Sequence, residues 1–279
     1  MTMAKIYFRE GHPGAVPSAW LIRPAQPSAA PPVVAVHGLN REVERMADLL
    51  AARADATGRT VVLPVFDLDN WRRFQRAACA QRSDWGLLAL LRILRKDGWI
   101  GAEAPDLSGF SGGAQFAHRF AWLYPTQVGR LCLVAPGWWT FPDTSGSYPF
   151  GIKSGGAGPA ATTFRLAANL PQFLDREIDV RVGALDVEQD QNLRQDSAIM
   201  AQQGANRVER AQAWTVAARA AAGQHGLTPR IDFHLMPDCG HSFADCVANG
   251  GLDHAFVPYA QCTSNRLPVT GEDQLVEVA

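Results

Sequence analysis

Short apolar runs alternate with longer stretches of helical period along most of this chain, the pattern of a mainly parallel sheet with helices on both faces. Residues 32–36 (Pro-Val-Val-Ala-Val) read as a buried strand that ends at His37-Gly38. A strand covered on both faces shows a continuous apolar run rather than an alternating one. A helix follows, with Val43, Met46 and Leu50 on one face and Gly58 as its C-terminal stop. Residues 60–65 are the next strand. Residues 84–96 form a strong helix, with Asp84 as N-cap, Leu87, Leu88, Leu91 and Leu94 as the apolar stripe, and Gly98 at its end. Residues 105–109 are a short strand running into Ser111, and 112–124 a helix stopped by Pro125. Residues 131–135, 180–185 and 231–236 are three more strands. The clearest helix between the last two spans 208–221. Residues 4–8 and 20–22 read as edge strands of a hairpin ahead of the parallel part.

One segment interrupts the alternation. Residues 137–160 are rich in Gly, Pro and Ser, interleaved with Trp138, Trp139, Phe141, Tyr148 and Phe150. A long stretch without periodicity inside a compact domain marks a lid or binding loop, so 137–178 is expected to be a lid-like insertion in a single domain spanning 1–279. The alternative is a surface excursion whose aromatics pack on the main body. The tail after about residue 263 is polar and is expected on the surface.

Composition narrows the function classes. The 279 residues are 47% hydrophobic and 19% charged with a formal net charge of −1, so a sizeable core is available. Lysines and arginines form no run, which leaves no electrostatic case for nucleic acid or an anionic membrane. No stretch approaches a membrane span. The N-terminus lacks the apolar segment of a signal peptide, and a cytoplasmic location is expected. Five cysteines are too scattered for a disulfide framework. Cys132 sits in a strand-like run and reads as a buried thiol. Cys239, Cys246 and Cys262 are close enough in sequence for one bridge, against the alternative of reduced thiols in a cytoplasmic protein.

The strongest chemical signal is Gly109-Phe110-Ser111-Gly112-Gly113. Serine is a poor nucleophile until a base takes its proton, and it must be presented where base and substrate can reach it. A sharp strand-to-helix turn presents it but crowds the backbone. Glycines two residues before and two after relieve the clash. The helix start also places the Gly112 N–H beside the serine oxygen, as one donor for an oxyanion. His37-Gly38-Leu39-Asn40 is the loop expected to offer the second donor, from Leu39 first or Asn40 next. His37 itself is read as shaping that loop.

His241 follows the last strand, in Asp238-Cys239-Gly240-His241, and is the expected base. The other histidines have weaker placements: His118 is two turns into the helix, His234 is inside a strand, His225 is at a helix end, and His12 and His254 are in terminal regions. Asp186 ends the strand at 180–185 and gives the order serine, aspartate, histidine. Glu188 and Asp190 follow closely and serve if the loop is offset, and Asp143 is the rival carboxylate on another strand. Leu39, Phe110, Trp71, Trp138, Trp139 and Phe243 are candidates to line a substrate pocket.

From about residue 32 to 243 the chain resembles the α/β-hydrolase superfamily, on His37-Gly38, Gly109-Phe110-Ser111-Gly112-Gly113, Gly183-Ala184-Leu185-Asp186 and Gly240-His241. The stretches 113–120 and 135–142 are similar to an esterase-like bacterial subgroup with polyhydroxybutyrate-depolymerase-type relatives. The resemblance implies an eight-stranded, mostly parallel sheet, an acyl-enzyme mechanism and no cofactor; it does not fix a substrate, and a small-molecule ester and no metal are expected. The extended His-Gly-Gly-Gly run of hormone-sensitive-lipase-like members is missing. So are the large helical cap and the nucleophilic aspartate of the epoxide-hydrolase branch. A peptidase or amidase, or an acyltransferase, would use the same residues. A non-catalytic binding protein on this fold is the reading from another class.

Overall fold

The hairpin expected at the N-terminus forms as β1 (Lys5–Arg9) and β2 (Ser18–Arg23), antiparallel, with Phe8 opposite Trp20. The structure, a computed structural model, describes residues 3–79, 81–154 and 160–260. The parallel strands are β3 (Val33–Val36), β4 (Val61–Val65), β5 (Asp106–Phe110), β6 (Leu131–Val134), β7 (Ile178–Gly183) and β8 (Ile231–Met236). All eight form one sheet in the order β1-β2-β4-β3-β5-β6-β7-β8, with β2 antiparallel to β4 and every later pairing parallel. Every residue of β3 and β6 is buried, so both faces of the sheet are covered there. That explains why their sequences are apolar without alternation.

Helix α1 (Val43–Thr57) packs on β2 and β4 and stops at Gly58 in the left-handed conformation, as the sequence predicts. The short α2 (Leu68–Trp71) is capped by Asp67. Helix α3 (Ser83–Lys96) departs from expectation in two ways. Its N-cap position is Arg82, and Asp84 is buried inside the first turn, accepting from Arg82 at 2.6 Å and from the Tyr124 hydroxyl at 2.7 Å. Its buried stripe uses Leu87, Leu90, Leu91 and Leu94, while Leu88 is only partly covered.

Helix α4 (Gly112–Leu123) is buried along its whole length beneath β3, β5 and β6. The segment 137–178 has two described parts. Trp138, Trp139, Phe141 and Tyr148 are buried near its start. Helix α5 (Ala160–Leu174) then packs Leu166, Leu170, Phe173 and Leu174 inward and lies against α4. Helices α6 (Ser197–Gln203) and α7 (Arg207–Gln224) connect β7 to β8, and α8 (Phe243–Gly250) and α9 (Leu252–Phe256) follow β8. Cys132, Cys239 and Cys246 are buried free thiols, and Cys262 lies outside the described residues. No described helix is long and apolar enough to cross a membrane.

Candidate active site

Ser111 sits at the junction of β5 and α4 with φ 54° and ψ −115°, a left-handed backbone that a non-glycine residue adopts only when its surroundings enforce it. Two hydrogen bonds do so here: the Ser111 N–H donates to the Val134 carbonyl (2.8 Å) and the Gln115 N–H to the Ser111 carbonyl (3.1 Å). Gly113 is where the turn needs glycine, because a Cβ there would lie 2.1 Å from the Val36 carbonyl oxygen. The loop after β3 runs alongside at ordinary contact distance. A Cβ on Gly38 would sit 3.5 Å from Ser111 Cβ, and one on Gly112 would sit 3.4 Å from the Leu39 nitrogen. The backbones of Leu39 and Gly112 therefore flank the serine, and neither N–H has an acceptor among the described residues. Asn40 lies on the same wall.

His241 reaches Ser111 from the turn after β8. Its Nε2 is 3.0 Å from Ser111 Oγ and its Nδ1 is 2.7 Å from Asp186 Oδ2. Asp186 stands on the turn after β7 and is 2% exposed, while the imidazole is 23% exposed. The two turns are tied together by the Leu185 N–H donating to the Cys239 carbonyl at 2.9 Å. Ser111, His241 and Asp186 thus form one chain of hydrogen bonds at the C-terminal ends of β5, β8 and β7. The other carboxylates stand elsewhere. Asp143 accepts from the Ser145 N–H at 2.8 Å within its own turn, and Glu188 is exposed. Asp190 pairs at 2.8 Å with Arg207, whose other nitrogen donates to Asp186 Oδ1 at 3.1 Å.

Neither a protein-family model nor a curated protein sequence matches the chain. Solved structures do. The chain is similar to a poly(aspartic acid) hydrolase from Sphingomonas sp. KT-1 (TM-score 0.73, 19% identity, 93% of this chain and 99% of that one). It is also similar to a poly(3-hydroxybutyrate) depolymerase from Bordetella parapertussis (TM-score 0.70, 22% identity, 92% and 95%). An S-formylglutathione hydrolase from Agrobacterium tumefaciens matches with TM-score 0.53 at 14% identity, over 93% and 96%. The fold is that of the α/β-hydrolases. At these identities the likeness carries the α/β-hydrolase architecture and leaves the chemistry to the residues.

A cavity of about 190 Å³ opens over Ser111 and His241 on this α/β-hydrolase frame. Leu39, Phe110 and Phe243 line it, as expected, and Phe110 stacks on the His241 ring at 5.1 Å. Its other wall carries Arg41, Glu42, Arg45 and Met46 from the start of α1, together with Asn192. Of these only Met46 was singled out in the sequence, as part of a helix face; for Arg41, Glu42 and Arg45 the available signal was their closeness to the His37-Gly38 loop, and Asn192 gave none. Trp71, Trp138 and Trp139, expected in the pocket, are instead core residues. Trp71 is 1% exposed and packs on Phe66. Trp138 lies beneath the Arg119 guanidinium (4.0 Å), and Trp139 stacks on Trp214 (4.3 Å). All three rings turn inward, where apolar area is removed from water.

The two buried histidines behind the serine stay neutral. His37 Nε2 accepts the Phe66 N–H (3.0 Å), so Nδ1 carries the proton that goes to the Gly38 carbonyl (2.7 Å). His37 therefore holds the loop's shape, as expected. Burial pushes its pKa down to about 4, with the Arg41 charge adding to that and the Gly38 contact opposing it. His118 does the same between Ala114 and Thr140, and burial pushes its pKa well below the usual histidine range. Among the described residues, no group of three His, Cys, Asp or Glu side chains is placed to hold a metal ion.

Proposed function

We propose that this chain is a serine hydrolase that cleaves a carboxylic ester of a small molecule through an acyl-enzyme. The hydrogen-bond chain Ser111–His241–Asp186 is the observation that carries the reading. His241 Nε2 takes the Ser111 proton as Oγ bonds to the ester carbonyl carbon, and the carbonyl oxygen becomes an oxyanion. The N–H groups of Gly112 and Leu39, free and flanking the serine, are the donors that hold it, with Asn40 next in line. Collapse expels the alcohol, which leaves with the proton from His241. Water then gives a proton to His241, adds to the acyl carbon and releases the acid, restoring Ser111. Asp186 holds the Nδ1–H tautomer and offsets the charge on the imidazolium. Phe110 and Phe243 give the acyl group an apolar wall.

The test is labelling by a fluorophosphonate together with turnover of short p-nitrophenyl esters. Wild-type protein is expected to label at Ser111, and Ser111→Ala to lose about three orders of magnitude or more in kcat. Turnover near the wild-type level in that variant would overturn the reading. Matched ester and anilide substrates separate an esterase from an amidase, and product analysis with an added alcohol detects acyl transfer.

A further inference from the structure

Asp186 is gripped from two sides. One carboxylate oxygen accepts from His241, and the other accepts from Arg207 Nη1 at 3.1 Å. Both side chains of the second contact are almost fully enclosed, Arg207 at 1% and Asp186 at 2% exposure. The far nitrogen of the same guanidinium is 2.8 Å from Asp190 Oδ2, at the mouth of the loop after β7. A planar fork of this kind can serve two carboxylates at once, which a lysine ammonium does less well.

We infer that Arg207 is a positioning residue that holds the Asp186 carboxylate aimed at His241, and that Asp190 sets how much of the guanidinium charge the imidazole feels. The inference rests on the serine-hydrolase reading above. A carboxylate held by one oxygen alone can turn away from the imidazole, which would then lose the tautomer that takes the serine proton. Arg207, by its contact to the second oxygen of Asp186, fixes the plane of the carboxylate and removes that freedom. Its charge has a second effect, since a cation close behind Asp186 also opposes the imidazolium that forms in each acyl-transfer step. Asp190 offsets this from the other end of the fork. Burial raises the Asp190 carboxyl, but the charge and hydrogen bond of Arg207, with the Asn192 N–H and the His241 ring adding to them, hold it below its ordinary value.

Among the described residues, Arg41, Glu42 and Arg45 line the opposite wall of the cavity that His241 shares. Asp238 lies on its own turn, Asp245 lies in the first turn of α8, and the Cys239 and Cys246 thiols belong to the same turn and helix. None of these changes in the variants below. Arg207 and Asp190 can therefore be tested against a constant background.

The experiment is the pH dependence of kcat/KM for a short p-nitrophenyl ester, with fluorophosphonate labelling in parallel, between about pH 5 and pH 9. Arg207→Met leaves both carboxylates unopposed, so the Asp186–His241 pair binds its proton more tightly and the acid limb moves to higher pH. The plateau falls by about 10- to 100-fold as the carboxylate loses its aim. Arg207→Lys keeps the charge and is expected to hold the limb nearer the wild-type position. Asp190→Asn exposes the imidazole to the full guanidinium charge and moves the limb to lower pH. Opposite shifts in Arg207→Met and Asp190→Asn are the expected result, and a residue that only supports packing would not produce them. If Arg207→Met does not fold, as judged by near-UV circular dichroism, Asp190→Asn decides alone by the direction of its shift. A labelled wild type whose variants keep its acid limb overturns the role of Arg207 and Asp190 but not the hydrolase. A wild type that fluorophosphonate leaves unlabelled overturns the hydrolase reading and this inference with it.

Discussion

His37 is fully enclosed, with both ring nitrogens already bonded to backbone, so protonation must break the contact that accepts the Phe66 N–H. This makes it a source of pH-dependent stability whose sign follows from its lowered pKa. Above pH 6.5 the ring is neutral in both folded and unfolded chains. Between 6.5 and about 4 the unfolded chain takes up a proton that the folded one refuses, and stability falls with falling pH. Fully expressed, the difference is about 3 kcal/mol. His37→Gln removes this titration, so its melting temperature should drop less than that of the wild type between neutral pH and the lower end of that window. Equal drops in thermal melts of the two proteins would remove His37 as the cause. At this scale the residues of the Ser111–His241–Asp186 hydrogen-bond chain were legible in the sequence, because a glycine-flanked serine, a Gly-His turn and an aspartate just beyond a strand are each recognisable patterns. Arg207 was not, since it belongs to no motif. A signal existed nonetheless. Arg207 and Arg210 fall on the same α7 stripe as Trp214 and Ala218, all buried, and a charge on a buried stripe requires a partner.

Single elements place those residues, and the β7–β8 pair does so most tightly. The strands run parallel in register from Ile178 opposite Ile231 to Gly183 opposite Met236, which brings the Asp186 and His241 turns side by side. Gly183 is where they touch. A Cβ at that position would lie 2.2 Å from the Cys239 carbonyl oxygen, on backbone that cannot swing aside. Gly183→Val should spread the two turns and lower kcat/KM by about 10- to 100-fold, since misplacement of this order costs that much. Unfolding curves and far-UV circular dichroism should show the sheet retained. Wild-type kcat/KM in a folded variant would mean that the turns tolerate separation. The strands themselves were readable from their apolar runs. Helix α5 was not, because Thr162, Thr163 and Pro171 are poor helix formers and mask the Leu166, Leu170, Phe173 and Leu174 stripe. The start of α3 was misplaced because Asp84, a good cap by type, is held inside the helix by Arg82 and Tyr124.

Across the whole molecule, the two ends of the sheet have different tasks. Ser111, Asp186 and His241 gather at the C-terminal ends of the parallel strands, where ligands of open α/β sheets bind. The N-terminal ends carry ion pairs instead. Arg130, just before β6, reaches Glu177 at 2.9 Å and Asp179 at 2.7 Å, and it donates to the Ala255 carbonyl at 3.0 Å, tying α9 to the sheet. Arg59, just before β4, holds Asp106 of β5 at 2.7 Å. This division was only partly legible beforehand: periodicity predicted a mainly parallel sheet, but which charged residues meet depends on strand order, which pairs residues far apart in sequence. It also yields a test. A strand of five or six residues spans about 15 to 20 Å, so the ion pairs lie well away from His241 and are screened from it at physiological salt. Arg130→Met leaves Asp179 to Arg181 (2.9 Å) and His234 (3.7 Å) and removes a partner of Glu177 in a partly enclosed site. It should cost about 2 kcal/mol in urea unfolding, short of the full penalty for breaking a fully buried pair. The rate at which fluorophosphonate labels the folded protein should not change. If that rate falls along with stability, the sheet transmits strain from one end to the other, and the ion pairs at its base help to align the relay at its top.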